Sequence, residues 1–254
     1  MSVPFDDRGL LLGDGLFETI LAKDGALVLW EPHLARLTAG CAALGLPPPD
    51  ADEALRLCEA AVAGLTGARG AVRLTLTAGS GGRGLDRPAE ITPRLFATAA
   101  PAARPEGPAQ LVTVSVRRNE GSPASRLKTL SYLDNVLARR EAGPAEALML
   151  NGQGEVACAA VANLFWIAEG RLETPALDCG VLDGIIRGQV LAAAKALGVT
   201  VAEVRAGRQR LEGAEGLFLT NSLIGVRAVD RLDGHAAPGH PLVAELAGAV
   251  SWSW

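Results

Sequence analysis

The stretch Arg126-Leu-Lys-Thr-Leu-Ser-Tyr-Leu-Asp-Asn-Val-Leu-Ala-Arg-Arg-Glu-Ala142 is where the chain changes character. Upstream, Leu111 to Val116 alternates as a strand does; downstream, Tyr132, Val136 and Leu137 recur at helical spacing, with Arg139 and Arg140 on the polar side. Lys128 stands at the junction, one of three lysines in a chain that otherwise carries its positive charge as arginine. A lysine where a strand gives way to a helix can point into a cleft. Desolvated there, it releases its proton more easily and becomes an amine nucleophile. The scarcity of lysine also fits a coding bias toward G and C. On composition alone such a residue is a solvated surface charge, so the rest of the chain must decide.

Its 254 residues leave room for one large or two smaller domains. A hydrophobic content of 49% excludes a disordered chain, and the net charge of −4, with scattered basic residues, gives no electrostatic case for nucleic acid. No run approaches the roughly 18 to 20 apolar residues of a membrane helix, and Met1 to Arg8 carries no signal-peptide pattern. Cys41, Cys58, Cys158 and Cys179 lack CxxC spacing, and three of them lie in apolar stretches as buried thiols would. His33, His235 and His240 form no metal-ligand spacing with them. A cytoplasmic protein without a metal is the expectation.

In chain order, Gly13-Asp-Gly15 precedes a strand ending near Leu21, and Lys23-Asp-Gly-Ala26 predicts a hairpin turn into a second strand, Val28 to Trp30. Glu31-Pro-His33 opens a helix with Leu34, Leu37, Cys41 and Leu44 at helical spacing. Arg36 within it is a candidate anion clamp, since its fork matches phosphate oxygens. A second helix spans 51–65, and Ala71 to Thr77 is a strand running into the glycine-rich loop Ala78-Gly-Ser-Gly-Gly-Arg-Gly84. That loop lacks both the GK[ST] ending of a P-loop and the helix-opening context of a dinucleotide fingerprint. Arg83 in it, and Glu18 before it, are the candidate substrate contacts. The proline-rich segment 99–109 reads as an interdomain linker, dividing a small α/β domain (1–98) from a larger one (110–254) that carries Lys128. Beyond it, Ala147 to Leu150 and Val156 to Ile167 are strands, Thr174 to Gly184 a loop, Ile185 to Leu197 a helix and Phe218-Leu219 a strand ending at Thr220-Asn-Ser222. Gly184 before a helix start exposes backbone N–H groups to an anion.

Taken in order, Arg8-Gly-Leu-Leu-Leu-Gly-Asp-Gly15, His33-Leu-Ala-Arg-Leu37, Gly79-Ser-Gly-Gly-Arg-Gly84, Lys128 with Tyr132-Leu-Asp-Asn-Val-Leu137, Ala162-Asn-Leu-Phe-Trp166, Gly184-Ile-Ile-Arg187 and Thr220-Asn-Ser-Leu223 resemble the class IV aminotransferase family. Within it, the likeness is nearest to 4-amino-4-deoxychorismate lyase. The resemblance implies an α/β (α+β) fold of type IV, two domains with pyridoxal 5'-phosphate in the cleft between them, and a homodimer acting on a small amino-acid-like substrate. It implies that Lys128 forms the Schiff base, and that Arg36, Gly184, Ile185, Ile186, Asn221 and Ser222 hold the cofactor, with Asn163 beside them. Relatives carry a glutamate five residues before that asparagine, contacting the pyridine nitrogen. Here that position is Cys158, and Glu155, an odd step away along a strand, faces the other side. Ala78 also replaces an arginine frequent in relatives. The expectation is a lyase releasing pyruvate from its substrate to give 4-aminobenzoate, a folate precursor. The alternatives are an aminotransferase acting on D- or branched-chain amino acids, and a scaffold whose catalysis is weakened by Cys158. The terminal Ser-Trp-Ser-Trp254 has no reading.

Overall fold

A computed structural model describes residues 3–250; the C-terminal Ser-Trp-Ser-Trp lies outside the described residues. The chain forms two compact units, Met1–Arg104 with Leu127–Ser131, and Pro105–Arg126 with Tyr132–Trp254. The break falls inside the predicted linker. Its alanines, however, continue a strand, with Ala99 opposite Val72 and Ala100 opposite Ala71. One expectation is corrected here: Lys128 belongs to the first unit, not to the larger second one.

In the first unit, a short helix α1 (Arg8–Leu12) precedes β1 (Gly15–Lys23), β2 (Ala26–Leu27), helices α2 (Trp30–Leu44) and α3 (Ala51–Ala63), β3 (Arg69–Thr77) and β4 (Arg94–Pro101). The strands form an antiparallel sheet in the order β2-β1-β3-β4. The hairpin turns at Asp24-Gly25, both left-handed, but β2 is only two residues long. Leu29 is itself left-handed at φ 55°, which ends extended backbone, so Trp30 begins α2 instead of closing a strand. Leu16, Ile20, Val72, Leu74 and Leu76 share a core with Leu37, Cys41, Ala54 and Cys58 of the two helices.

Because β2 is so short, the first half of β1 has an edge to spare, and residues 127–131 occupy it. Phe17 N–H donates to Lys128 O and Leu130 N–H to Gly15 O, each at 3.0 Å, and Leu16 bridges Thr129 in antiparallel register. Glycine is required beside this segment. A Cβ on Gly15 would lie 2.3 Å from Leu76 O and 2.8 Å from the Leu130 side chain, and one on Gly13 2.3 Å from Ser131 Oγ.

The second unit contains β5 (Ala109–Arg118), α4 (Leu133–Ala142), β6 (Glu146–Asn151), β7 (Val156–Ala159), β8 (Asn163–Ala168), β9 (Arg171–Pro175), α5 (Ile185–Ala196), β10 (Val201–Val204), β11 (Gly216–Asn221), β12 (Gly225–Leu232), β13 (His235–Ala236) and α6 (Pro241–Ala249). Its sheet runs β10-β9-β8-β11-β12-β5-β6-β7, with β13 on β12. The pairs β9/β10, β12/β5 and β5/β6 are parallel and the others antiparallel. Three residues join β7 to β8 although the hydrogen-bonded path keeps them far apart, so the sheet curls around a core of Leu111, Leu148, Leu164, Trp166, Leu217 and Leu219.

Three expectations change in this unit. The single strand expected over 156–167 is two, since Ala159 N–H donates to Ala162 O and closes a turn in a run of alanine and valine with no glycine or proline to mark it. Thr174 and Pro175, expected in a loop, pair with β10 at the end of β9. In α4 the phase is inverted: Asn135, Ala138 and Ala142 are buried, while Val136 and Leu137 are 58% and 41% exposed.

A substitution pair tests the fit of residues 127–131. Gly15→Ala should destabilise the protein by about 1–3 kcal/mol through overpacking. Gly188→Ala in α5, whose new methyl meets nothing within 4 Å, should be neutral or stabilising by about 0.5–1 kcal/mol. Urea unfolding midpoints measure both.

Candidate active site

Glu18 lies on the face of β1 that packs against α2, and His33 and Arg36, one turn apart, lie on the α2 face that meets it. Arg36 grips the carboxylate with both arms of its fork, Nε to Oε1 at 2.8 Å and a terminal nitrogen to Oε2 at 2.6 Å. His33 Nδ1 lies 2.7 Å from Oε2. Burial alone pushes Glu18 upward, but the hydrogen bonds from Arg36 and His33 outweigh it and hold the carboxyl at about 2. Burial lowers the His33 pKa against the pull of Glu18. An ionised carboxylate only accepts, so neutral His33 carries its hydrogen on Nδ1, leaving Nε2 buried without a hydrogen-bond partner.

Lys128 Nζ lies 4.1 Å from the centroid of the Phe17 ring, and the Arg73 guanidinium carbon lies 3.7 Å from the same centroid. Burial lowers the lysine to about 8. Glu18 opposes that shift, while the charges of Arg36 and Arg73 add to it. This is the desolvated amine expected of Lys128.

In the second unit, Asn163 starts β8 opposite Thr220 of β11. Its Nδ2 donates to Leu182 O at 2.9 Å, and a Cβ on Gly184 would lie 1.9 Å from its Oδ1. Gly184 caps α5 without any side-chain hydrogen bond, and Ile185 and Ile186 form the first turn. Thr220 Oγ1 is buried with no hydrogen-bond partner. Asn221 holds the turn that contains Ser222, its Oδ1 accepting from Leu223 and Ile224 N–H at 2.9 Å each. An uncapped helix N-terminus with an unused hydroxyl nearby in the fold fits a phosphate group. Cys158, in β7, is buried, and burial raises its thiol pKa against the opposing charge of Arg118. Arg118 is fixed by the carbonyls of Gly180 and Ser125 and by Asn135 Oδ1. Glu155 bonds Asn151 and Arg205, and so supplies no replacement carboxylate at Cys158.

The family profile described as Amino-transferase class IV matches residues 15–232. The chain belongs to the class IV aminotransferases. Members of this family and aminodeoxychorismate lyases use pyridoxal phosphate. A Methanocaldococcus jannaschii relative, provisionally named a branched-chain-amino-acid aminotransferase, is 34% identical over 90% of this chain and 82% of its own length. The aminodeoxychorismate lyase of Bacillus subtilis is 31% identical over 87% of this chain and 78% of its own. The crystal structure of 4-amino-4-deoxychorismate lyase from Pseudomonas aeruginosa superposes with a TM-score of 0.88 at 34% identity, covering 98% of this chain and 94% of that one.

For this class IV aminotransferase, the structure brings Lys128, Glu18 and Arg36 together in one unit and Asn163 and Gly184 in the other. One sequence assignment changes. Glu18 is 1% exposed with both oxygens occupied, so it orients Arg36 and acts on Lys128 instead of touching substrate. Arg83 pairs with Asp86 in an isolated bridge within the glycine-rich loop. Arg73, which neighbours Lys128, escaped the sequence reading. Its place in the alternation of β3, on the face opposite Val72 and Leu74, is the signal that could have found it. Among the described residues, no group of three or more His, Cys, Asp or Glu side chains is placed to hold a metal, and no helix is long and apolar enough to cross a membrane.

The Lys128 shift has a consequence for stability. Between about 8 and the ordinary 10.5, the unfolded chain holds a proton that the folded protein has released. The lysine's contribution to stability therefore rises with pH through that window, and its penalty is fully present below it. The buried thiols of Cys41, Cys58 and Cys179, pushed up to about 11, act in the opposite sense, so the check is a difference: the denaturation midpoint of the wild-type apoprotein minus that of Lys128→Met should rise as pH goes from 8 to 10.5.

Proposed function

We propose that this class IV aminotransferase is a pyridoxal-phosphate-dependent 4-amino-4-deoxychorismate lyase, releasing pyruvate and leaving 4-aminobenzoate. The bound cofactor supplies an aldehyde for a lysine and a heteroaromatic ring that accepts electrons. Lys128 is the residue assigned to the aldehyde, because desolvation leaves its amine partly unprotonated near neutral pH. The same amine then takes a proton from the substrate carbon and returns one to the product. Arg36, oriented by Glu18, and the backbone of Gly184, Ile185 and Ile186 with Asn221 and Ser222 are assigned to the phosphate. Arg73 and Arg83 are the guanidinium candidates for substrate carboxylates.

Cys158 is the observation that favours elimination over amino transfer. A buried thiol with a raised pKa is neutral and brings no carboxylate to the ring nitrogen. Amino transfer leans heavily on a protonated ring. In elimination the departing enolpyruvyl group carries the electron pair away, and aromatisation of the product adds driving force. The aminotransferase reading keeps support in the likeness to the provisionally named branched-chain-amino-acid aminotransferase of M. jannaschii and to a D-alanine aminotransferase of Listeria monocytogenes, 30% identical over 96% of this chain.

The finer assignments rest on the same reading. Four free cysteines suit a reducing cytoplasm, and the product class suits folate synthesis. Exposed Leu10 and Leu11 on α1 and Leu133 and Val136 on α4 offer apolar surface for a homodimer.

Purified protein loaded with cofactor is expected to release pyruvate and 4-aminobenzoate in equal amounts from aminodeoxychorismate, and Lys128→Ala to lose this activity by roughly 10²–10⁴-fold. Cys158→Glu should raise amino transfer relative to elimination. Amino transfer from D-alanine or leucine that outruns pyruvate release in the wild type would overturn the lyase reading. Failure to bind the cofactor at all would favour a scaffold of altered function.

A further inference from the structure

The glycine-rich loop is built around a cation of the chain itself. Arg8, 5% exposed at the start of α1, sends Nε to Asp14 Oδ2 at 2.9 Å and one terminal nitrogen to Leu85 O at 2.9 Å. The other terminal nitrogen faces Asp86 O at 3.0 Å, Gly84 O at 3.4 Å and Gly81 O at 3.5 Å. Four carbonyl oxygens of one loop, those of Gly81, Gly84, Leu85 and Asp86, thus converge on one guanidinium, whose planar fork of five donors suits such convergence. Glycine is what lets the backbone close: Gly82 has φ 85°, and a Cβ there would lie 2.1 Å from Asp86 O and 3.0 Å from an Arg8 nitrogen.

Two further contacts anchor the arrangement. Arg8 N–H donates to Gly79 O at 2.8 Å. Arg87, at the loop's far end, shares Asp14 Oδ2 with Arg8 at 2.9 Å. The Arg87 hydrogen bond, opposed by burial and reinforced by Arg8, holds the Asp14 carboxyl below its ordinary range. Asp14 lies between Gly13 and Gly15, the two glycines against which Leu130 and Ser131 pack. The loop, the Gly13-Asp-Gly15 turn and the Lys128 segment are therefore connected through two arginines and one carboxylate.

We propose that Arg8 is a positioning residue: by clasping the carbonyls of Gly81, Gly84, Leu85 and Asp86 it sets the loop conformation from which Arg83 meets a substrate carboxylate. This rests on the lyase reading for its substrate, while the clasp stands on the geometry alone. The guanidinium is replaceable in kind. With Arg8→Ala, Asp14 and the four carbonyls still frame a hole of guanidinium shape, which free guanidinium can fill.

The test uses the cofactor-loaded enzyme. In Arg8→Ala, amide hydrogen exchange across residues 79–87 is expected to accelerate, and KM for aminodeoxychorismate to rise on the order of tenfold to a hundredfold with kcat changed far less. Millimolar guanidinium chloride, but not potassium chloride at equal ionic strength, should reverse both changes in part. Arg8→Lys, which keeps the charge and loses the fork, should fall between wild type and Arg8→Ala and serves if the alanine variant does not fold. In the Arg8→Ala/Arg83→Ala double variant, KM should be no higher than in the worse single variant. Unchanged exchange in the loop, an unchanged KM, or multiplying effects in the double variant would overturn the proposal. A wild-type enzyme that releases no pyruvate would sink the lyase reading instead, leaving the exchange and rescue measurements to judge the clasp.

Discussion

Two backbone hydrogen bonds, Phe17 N–H to Lys128 O and Leu130 N–H to Gly15 O, decide what kind of residue Lys128 is. They add a short segment to the unfilled edge of β1 and draw the lysine out of the unit that contains its flanking strand and helix. Without them Lys128 would sit at a strand–helix junction among solvated charges. With them it lies over the Phe17 ring, within the field of a buried carboxylate and two arginines. Gly13 and Gly15 exist to admit that segment, and Asp14 between them ties it to the glycine-rich loop.

Glu18 is the electrostatic pivot of the first unit. A carboxylate that deeply buried persists as an ion only when paired and hydrogen-bonded, and Arg36 and His33 provide that on two sides. Its charge then reaches Lys128 and partly offsets the desolvation that lowers the amine. The balance leaves a lysine at about 8, far enough down for the free amine to be populated near neutral pH, yet still able to carry a proton. The same carboxylate fixes the direction of Arg36. One buried ion thus orients a phosphate-binding candidate and limits how far the neighbouring lysine's pKa falls.

Much of this was legible in the residues. Asp24-Gly25, the spacing of α2 and the strand over β3 follow from local periodicity and turn chemistry, and the order of the short motifs carried the family. What was hidden depends on contacts distant in sequence. Arg8 meets its loop more than seventy residues away, and no local pattern announces a carbonyl cage. The inverted phase of α4 arises because Asn135 turns inward to bond Ala160 O, a polar residue taking the place that apolar spacing would give to Val136. The break between β7 and β8 has neither glycine nor proline. Arg73 was missed because an arginine in a strand reads as a solvated edge until the neighbouring segment is known.

The most direct measurement of the central claim is chemical. The cofactor-loaded protein is reduced with borohydride, digested, and its lysine-containing peptides are mapped by mass. With Lys23, Lys128 and Lys195 as the three candidates, the account predicts cofactor mass on the peptide containing Lys128 alone. Cofactor mass on Lys23 or Lys195, or on none of the three, would contradict it.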